Sequence, residues 1–432
     1  MKKSEISTSW AGRSLRTAGS LASYGMRSLG RSSPDGHAAE ALATALGRLK
    51  GLAMKAGQMM SYVDSALPPA ARTALATLQD SVPPMSPEVI DSVVASELGA
   101  APRDIFATWT AQPIAAASIG QVHLATLRDG TEVAVKVQYP AIARALDADL
   151  KSASLLASLA GLSMRGVNVD DVVAEMKERL REECDYQKEA ANQEEFRRHY
   201  AGDPDILIPE VYPRHCSARV LTTRYVRAAR FADFESFPKP VKNRAAETIF
   251  RFAFESIFRH HLFNCDPHPG NYLFHDDGRV VFLDFGCVKR FEPAFVQRWR
   301  DMHVAVRAGD RPRFKQLMTA AGMVGNPKGF DYDYHFELTR QLYKPVLDDR
   351  PFKYTEEYIH ETNAILVDRN PNKRKTNLPR DYVFVNRLQW GLSSILERLG
   401  AEANWHRIVA PYIFEHGRAS RPAEVAQRAH GT

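Results

Sequence analysis

Hydrophobic and polar residues change their spacing along the chain, and these changes divide it into stretches of different structure. From about residue 37 to 82, apolar residues recur every three or four positions, which is the period of an amphipathic helix. A proline-rich break at 83–87 follows, and then a second helical stretch that ends near 99. The pattern predicts an N-terminal helical extension.

The period becomes two in the next stretch, residues 114–140. Apolar and polar residues alternate there on both sides of Asp129-Gly130, a dipeptide typical of tight turns. Alternation around such a turn predicts an antiparallel hairpin. It also points Lys136 away from the face occupied by Val135 and Val137.

Helical and strand patterns then alternate to the C-terminus. Helical spacing returns at 140–163 and 169–200, and short strands are predicted within 209–226. An apolar helix at 245–263 precedes a loop–strand–turn–strand unit at 264–286, and the rest is mainly helical. We interpret the basic run at 369–380 as a solvated loop.

Composition narrows the class of protein. Lys plus Arg exceeds Asp plus Glu by 57 to 51, without the clustered basic and aromatic residues of a nucleic-acid surface, so no nucleic-acid partner is predicted. No apolar run approaches the roughly 18 residues of a spanning helix. The 4 cysteines are widely spaced and indicate neither a zinc site nor disulfides, which favours a reducing cytoplasm. The basic segment 1–36 leaves two alternatives open, a frayed terminus and a targeting or membrane-surface segment.

Three short motifs in order carry the chemistry. "VAVK" places Lys136 on a strand, "CDPHPGN" sets Asp266 five residues before Asn271, and "LDFG" contains Asp284. Protein kinases use this set for the nucleotide phosphates, the attacking hydroxyl and Mg²⁺, which prefers oxygen ligands. Each motif alone is common in strands and turns, but their joint occurrence predicts a site for ATP and Mg²⁺.

The order of elements and motifs predicts an α+β, bilobal, protein-kinase-like fold. We divide the chain into a basic N-terminus (1–36), a helical extension (37–102), a small strand-rich N-lobe (103–226) and a helical C-lobe (227–432). A chain of 432 residues exceeds what one hydrophobic core usually organises, which agrees with two lobes.

Six motifs in order resemble the AarF/UbiB family of atypical kinases over roughly residues 40–410. They are "KAGQ", "AAASIGQVH", "VAVKVQYP", "ECDYQKEAANQ", "CDPHPGN" and "LDFG". The family is tied to coenzyme Q and isoprenoid-lipid metabolism, so the resemblance implies a quinone-like or lipid ligand and peripheral association with the inner face of a membrane.

The resemblance extends to the nucleotide-binding residues. An alanine-rich stretch replaces the glycine-rich loop of ordinary kinases, which implies altered nucleotide selectivity, ATP or ADP, and poor activity on proteins. A strand entry without phosphate contact is the alternative. Arg224 stands where the family usually has an acidic residue, so a contact at the adenine edge is in doubt. The implied set is Ala115, Ala116, Ala117, Ser118, Gly120, Lys136, Thr223, Tyr225, Val226, Asn271 and Asp284.

The "KAGQ" element and the charged helix are interpreted together. Glu183 and Glu189 lie six positions apart, about 120° around one helix, so they cannot easily serve one partner. We assign Glu189 to Lys136, and Glu183 with Asp185 to Lys55 of the extension. The alternative is a solvated Lys55. In this arrangement Gly57 permits close approach, Gln58 reaches the phosphates, and the extension covers the cleft where a peptide substrate would lie.

These residues predict an ATPase or a small-molecule or lipid kinase in which Asp266, Lys136 and Glu189 are catalytic and Asn271 and Asp284 hold Mg²⁺. Two alternatives stay open. One is a non-catalytic nucleotide- or lipid-binding regulator, and the other is an antibiotic-type phosphotransferase. The phosphate acceptor and the oligomeric state do not follow from the sequence.

Overall fold

The computed structural model describes residues 85–117, 119–140, 184–373 and 375–415. Within these residues the chain divides into two compact units. A strand-rich unit includes 85–234 and 264–288, and a helical unit includes 235–263 and 289–415.

The helices of the described residues are numbered in chain order. They are α1 Pro87–Leu98, α2 Pro102–Ile105, α3 Tyr186–His199, α4 Phe231–Phe234, α5 Lys239–His260, α6 Pro293–Ala308, α7 Arg311–Ala320, α8 Tyr332–Leu347, α9 Glu356–Asn363, α10 Arg380–Arg398 and α11 Trp405–Ile413. No helix of this part of the chain has the length and hydropathy needed to cross a bilayer.

The strands are numbered in the same way. They are β1 Thr108–Trp109, β2 Ala115–Ala117, β3 Gly120–Thr126, β4 Glu132–Gln138, β5 Ile206–Leu207, β6 Val220–Arg224, β7 Ala229–Arg230, β8 Leu262–Asn264, β9 Tyr272–Phe274, β10 Val280–Phe282, β11 Val288–Arg290, β12 Phe352–Lys353 and β13 Glu402–Ala403.

The main sheet of the strand-rich unit is antiparallel, with the order β1-β3-β4-β6 and β2 on β3. The predicted hairpin is confirmed, since β3 and β4 pair from Gly120–Gln138 to Thr126–Glu132. Its turn has Gly130 at a φ of 89°, which only glycine adopts readily, and the Asp129 carboxylate accepts from the Thr131 N–H at 2.9 Å.

One face of this sheet forms the core of the unit. The side chains of Val133, Val135 and Val137 are fully buried and belong to one cluster with Ile90 and Val94 of α1. Because side chains alternate along a strand, Lys136 lies on the other face. We call that second face, which carries Val122, Leu124, Ala134 and Lys136, the lysine face.

A second sheet, in the order β5-β10-β9-β7, supports the segments that follow it. The predicted loop–strand–turn–strand unit is present, because β9 and β10 pair antiparallel from Phe274–Val280 to Tyr272–Phe282. Phe234 stacks on Phe274 with centroids 4.1 Å apart. This pairing fixes the C-terminal end of the loop that contains Asp266 and Asn271, and the start of the segment that contains Asp284.

The helical unit is held by aromatic side chains. Trp405 is fully buried, lies 4.8 Å from Phe250 by ring centroids, and donates its indole N–H to the Phe352 carbonyl. Helix α8 contains Pro345, which has no N–H for the Gln341 carbonyl one turn earlier. The Tyr358 hydroxyl donates to that carbonyl instead, at 3.1 Å.

Two expectations from the sequence are wrong. Asp185 has an extended backbone and caps α3, which begins at Tyr186, so a helix does not run unbroken from 169 to 200. The segment 369–380 is more than a solvated loop, because Asn370 and Asn372 are buried. Asn372 exchanges hydrogen bonds with the backbone of Asp331, at 2.6 and 2.9 Å.

Candidate functional site

Lys136 makes the central contact of the site. Its ammonium contacts both Glu189 oxygens, at 2.7 and 2.9 Å, and an Asp284 oxygen at 3.5 Å. The side chain of Lys136 is 16% exposed, that of Glu189 3% and that of Asp284 30%. The contact predicted between Lys136 and Glu189 is therefore present, with Asp284 on the open side.

The electrostatics of this group favour a charged lysine. Burial opposes the charge on Lys136, but the nearby carboxylates of Asp284 and Glu189 outweigh that cost and hold its pKa well above the ordinary value. Two carboxylates against one ammonium leave the group with one net negative charge. A divalent cation beside Asp284 would offset this negative charge.

Helix α3 presents a buried polar face to this group. Glu189, Asn192, Gln193 and Phe196 are buried along one side, at the three- and four-residue spacing of a helix face. The Asn192 amide donates to the Phe285 carbonyl at 3.0 Å, and the rings of Phe196 and Phe285 lie 5.1 Å apart. The helix that supplies the partner of Lys136 thus also holds the residue after Asp284.

The segment from Asp284 to Gly286 is tightly packed. The Asp284 carboxylate accepts from the Gly286 N–H at 2.9 Å. A Cβ on Gly286 would lie 3.3 Å from an Asp284 oxygen and 3.4 Å from a Glu189 oxygen. A side chain at this position would therefore be crowded, and the two carboxylates would have to shift by a few tenths of an ångström to make room for it.

The loop with Asp266 and Asn271 is ordered by its own hydrogen bonds. The Asn271 amide nitrogen donates to the carbonyl and the carboxylate of Asp266, at 2.9 and 3.1 Å. The Leu283 N–H donates to the Asn271 carbonyl at 3.0 Å, so Asp284 follows directly beside Asn271. His268 braces the loop by accepting from the Gly270 N–H at 3.1 Å.

Sequence reasoning missed the role of Asn264. Its amide donates to the Asp284 carbonyl at 2.7 Å, and its side-chain oxygen accepts from the Asp266 N–H at 3.4 Å. It therefore connects the two aspartates. The only signal was its unusual place in the motif, where relatives commonly have His, and spacing alone could not give its partners.

These residues suit Mg²⁺. The Asn271 nitrogen bonds Asp266, and the Asn271 side-chain oxygen and the Asp284 carboxylate are the oxygen ligands that would hold a cation. Such a pair fits a cation that takes few protein ligands and completes its shell with phosphates and water. No group of three or more His, Cys, Asp or Glu suited to a metal occurs among the described residues.

The alanine-rich stretch forms the edge of the main sheet. Ala115, Ala116 and Ala117 are strand β2 and pair with Val122, Gln121 and Gly120. This register places Ala115, Ala117 and Gly120 on the lysine face and Ala116 on the opposite face. Ser118 lies outside the described residues.

Gly120 has a steric reason to be glycine. A Cβ there would lie 2.3 Å from the Val137 carbonyl oxygen and 2.9 Å from the Tyr186 hydroxyl. Neither distance is tolerable for a real side chain, and the Val137 oxygen is backbone in a neighbouring strand. Any larger residue would force the two strands apart.

The predicted adenine-side residues follow β4 and β6. Thr223 pairs with Ala134 and shares the lysine face, and the Tyr225 N–H donates to the Glu132 carbonyl at 3.0 Å. Val226 is half-buried in the connection after β6. Arg224 points to solvent and pairs with Glu210 at 3.0 Å.

The predicted docking of the extension falls mostly outside the described residues. Lys55, Gly57, Gln58 and Glu183 all lie there. Asp185 is exposed and accepts from the N–H groups of Gln187 and Lys188, at 3.1 and 3.2 Å.

The angular argument about Glu183 and Glu189 is wrong. The two residues do not share an unbroken helix, because Asp185 caps α3 in an extended conformation and Glu183 precedes that cap. A rotation of 100° per residue applies only within one continuous helix. The assignment of Glu183 and Asp185 to Lys55 therefore stays a prediction without this support.

Together the antiparallel sheet, the lysine–glutamate pair and the aspartate–asparagine loop define a kinase-like protein, and the α+β fold class is confirmed. A model of the ABC1 atypical kinase-like domain matches residues 77–318, more than half of the chain. The chain belongs to this family, the AarF/UbiB family of atypical kinases, which confirms the resemblance found in its motifs.

Individual relatives agree with the family. Atypical kinase COQ8, a mitochondrial protein of Saccharomyces cerevisiae, is 27% identical over 362 residues, which are 83% of this chain and 72% of that protein. The chloroplastic protein ACTIVITY OF BC1 COMPLEX KINASE 1 of Arabidopsis thaliana is 38% identical over 245 residues, 54% of this chain but 35% of that protein. The chain thus spans only part of such relatives.

A solved structure has a similar fold. The complex of Rv3197 with erythromycin, from Mycobacterium tuberculosis, aligns with a TM-score of 0.65 at 27% identity. The alignment covers 83% of this chain and 90% of that one.

Proposed function

We propose that this protein binds ATP with Mg²⁺ and transfers the terminal phosphoryl group to water or to a small-molecule or lipid hydroxyl. The contact of Lys136 with both Glu189 and Asp284 carries the proposal, because it joins a phosphate-binding cation to a metal-binding carboxylate. The family membership supports a kinase-like enzyme.

Each residue has a role that its position supports. Lys136, held by Glu189, neutralises the α and β phosphates on the lysine face. Asn271 and Asp284 would hold Mg²⁺, which would supply positive charge against the phosphates. Asp266, oriented by Asn271 and Asn264, positions the attacking hydroxyl or water and accepts its proton.

The acceptor is proposed from the family alone. Coenzyme Q and isoprenoid-lipid metabolism, to which the resemblance points, would supply a quinone-like or lipid ligand at a membrane surface. This step rests on analogy rather than on a described pocket. Sedimentation with liposomes, with and without residues 1–36, tests the membrane part.

The test of the enzyme is Mg²⁺-dependent release of ADP by the purified protein. Asp284→Asn removes the proposed metal carboxylate and is expected to lower the rate at least a hundredfold, in line with the loss of a group that stabilises transition-state charge. Asp276→Asn, at an exposed turn of the same unit, is the matched control and should keep the full rate. Equal rates of ADP release in the unaltered protein and in Asp284→Asn would refute the proposed enzymatic activity.

Two other functions give different results. A non-catalytic regulator would bind Mg²⁺ and nucleotide but release no ADP above background. An antibiotic-type phosphotransferase is favoured by one observation, the erythromycin complex of the structural relative. It predicts that erythromycin or another hydroxylated antibiotic accelerates ADP release and acquires a phosphate, detectable by mass spectrometry.

A further inference from the structure

Tyr186 lies beside Lys136, and the proposed function assigns it no role. It is the first residue of α3 and is fully buried. The Lys136 ammonium lies 4.9 Å from the centroid of its ring, a cation–π distance. The hydroxyl at the other end of the ring lies against Gly120, where a Cβ would come within 2.9 Å of it.

The position of the ring follows from the register of the sheet. Gly120 and Lys136 both belong to the lysine face, one beside the alanine strand β2 and the other in the middle of β4. The tyrosine therefore spans the space between Lys136 and the hairpin of β2 with β3, which we call the alanine hairpin. A kinase-like protein holds the nucleotide phosphates in this space.

The Tyr186 hydroxyl is chemically unusual because it has no hydrogen-bond partner within the described residues. A buried hydroxyl without a partner lowers stability, since it has lost its water and gained nothing in return. Burial also raises the pKa of this phenol, so it stays protonated and is able to donate. A protonated hydroxyl beside a lysine ammonium is suited to binding an anion.

We propose that Tyr186 is a phosphate-contacting residue, whose hydroxyl donates to a phosphate oxygen of a nucleotide bound between Lys136 and the alanine hairpin. The inference rests on the proposed nucleotide-binding function and extends it to Tyr186, a residue of the "ECDYQKEAANQ" motif to which the sequence assigned no role. Gly120 also leaves room for this hydroxyl, because a Cβ there would come within 2.9 Å of it.

Contact with a ligand requires a small movement, because the hydroxyl is enclosed in this structure. Strand β2, which pairs with Gly120 through Ala117, is the element we expect to move. Strand β2 has 3 residues and pairs with β3 alone among the described strands, and its first two alanines are exposed. Such a short edge strand can shift over a ligand without breaking the core of the sheet.

The test uses Tyr186→Phe, which removes only the hydroxyl and keeps the ring over Lys136. Tyr212→Phe is the matched control, because it removes the hydroxyl that bonds Glu210 at 3.2 Å in the same unit and away from Lys136. For both variants and the unaltered protein, affinities for adenosine, Mg²⁺–ADP and Mg²⁺–ATP are measured by calorimetry. Thermal unfolding without nucleotide is recorded in parallel.

The expected result is specific to the phosphates. Tyr186→Phe should weaken the affinities for ADP and ATP about tenfold or more, which is the usual effect of losing a hydrogen bond to a charged group. Its affinity for adenosine should stay within about twofold of that of the unaltered protein. Without nucleotide its unfolding temperature should be unchanged or higher. Tyr212→Phe should leave all three affinities unchanged.

Three outcomes would overturn the inference. The first is that Tyr186→Phe and the unaltered protein have equal affinities for ADP and ATP. The second is that the affinity for adenosine falls as much as the affinity for ADP. The third is a lower unfolding temperature without nucleotide, which would reveal a hydrogen-bond partner of the hydroxyl within the chain. If the unaltered protein binds no Mg²⁺–nucleotide, the proposed function itself fails, so the two failures are distinguishable.

Discussion

Replacement of Lys136 by methionine tests the charge balance of the site. The substitution keeps much of the side-chain volume but leaves Glu189, whose side chain is 3% exposed, facing Asp284 without a cation. Removing one partner of a buried ion pair typically costs about 3–5 kcal/mol, because the other charge stays desolvated and unpaired. We expect Lys136→Met to destabilise the strand-rich unit by this amount.

Adding Glu189→Gln to Lys136→Met should reverse most of that loss of stability, because it removes the unpaired charge. Glu189→Gln alone leaves Lys136 with Asp284 at 3.5 Å and should cost about 1–2 kcal/mol, since one opposite charge and an amide oxygen still face the ammonium. In the double variant only Asp284 keeps a charge, and it is 30% exposed and partly hydrated. We expect a total loss of about 1–2 kcal/mol, which is smaller than that of Lys136→Met.

Hydrogen exchange of peptides from β3 and β4 measures the stability loss of each variant, because it reports the opening of the strand-rich unit separately from that of the helical unit. The exposed pair Arg224 and Glu210 is the control. Its double variant, Arg224→Met with Glu210→Gln, should show a coupling below about 1 kcal/mol. If Lys136→Met with Glu189→Gln is as unstable as the sum of its single variants, the charge argument is refuted.

Two further predictions concern the helical unit. Tyr358→Phe should lower its free energy of unfolding by about 1–3 kcal/mol in urea, because the Gln341 carbonyl beside Pro345 loses its donor; an unchanged midpoint would show another donor. Burial lowers the pKa of His335 to about 4, so the unfolded chain gains a proton below pH 6.5 that the folded chain does not. Between pH 7 and pH 5 this histidine should lower the free energy of unfolding by about 2 kcal/mol. His335→Gln should remove this contribution, so its unfolding temperature should fall less over the same pH range.

Local patterns predicted the sheet and the position of Lys136 correctly. The hairpin depends on alternation and on the turn at Asp129-Gly130, both of which are set by neighbours in the sequence. The pairing with Glu189, 53 residues away, came from the order of the kinase motifs rather than from spacing. Family motifs supply such long-range contacts because they encode a shared three-dimensional arrangement.

The start of α3 could have been predicted but was missed. Asp185 is a residue type favoured at N-caps, and its carboxylate accepts from two backbone N–H groups. The helical periodicity on either side concealed this signal. The bonds of Asn192 and Asn264 could not be predicted, since their partners are backbone carbonyls of Phe285 and Asp284 that only the folded chain brings near.

Helix α3 makes two contacts that both depend on its rotation about its own axis. Glu189 and Asn192 project from one side of the same rod, one toward the lysine and one toward the backbone after Asp284. With side chains about 5 Å from the axis, turning the rod by a tenth of a revolution would carry both tips roughly 3 Å, beyond bonding range. Helix α3 thereby couples the position of the Lys136 ammonium to that of the backbone after Asp284, so a state in which one contact is made and the other is broken is geometrically disfavoured.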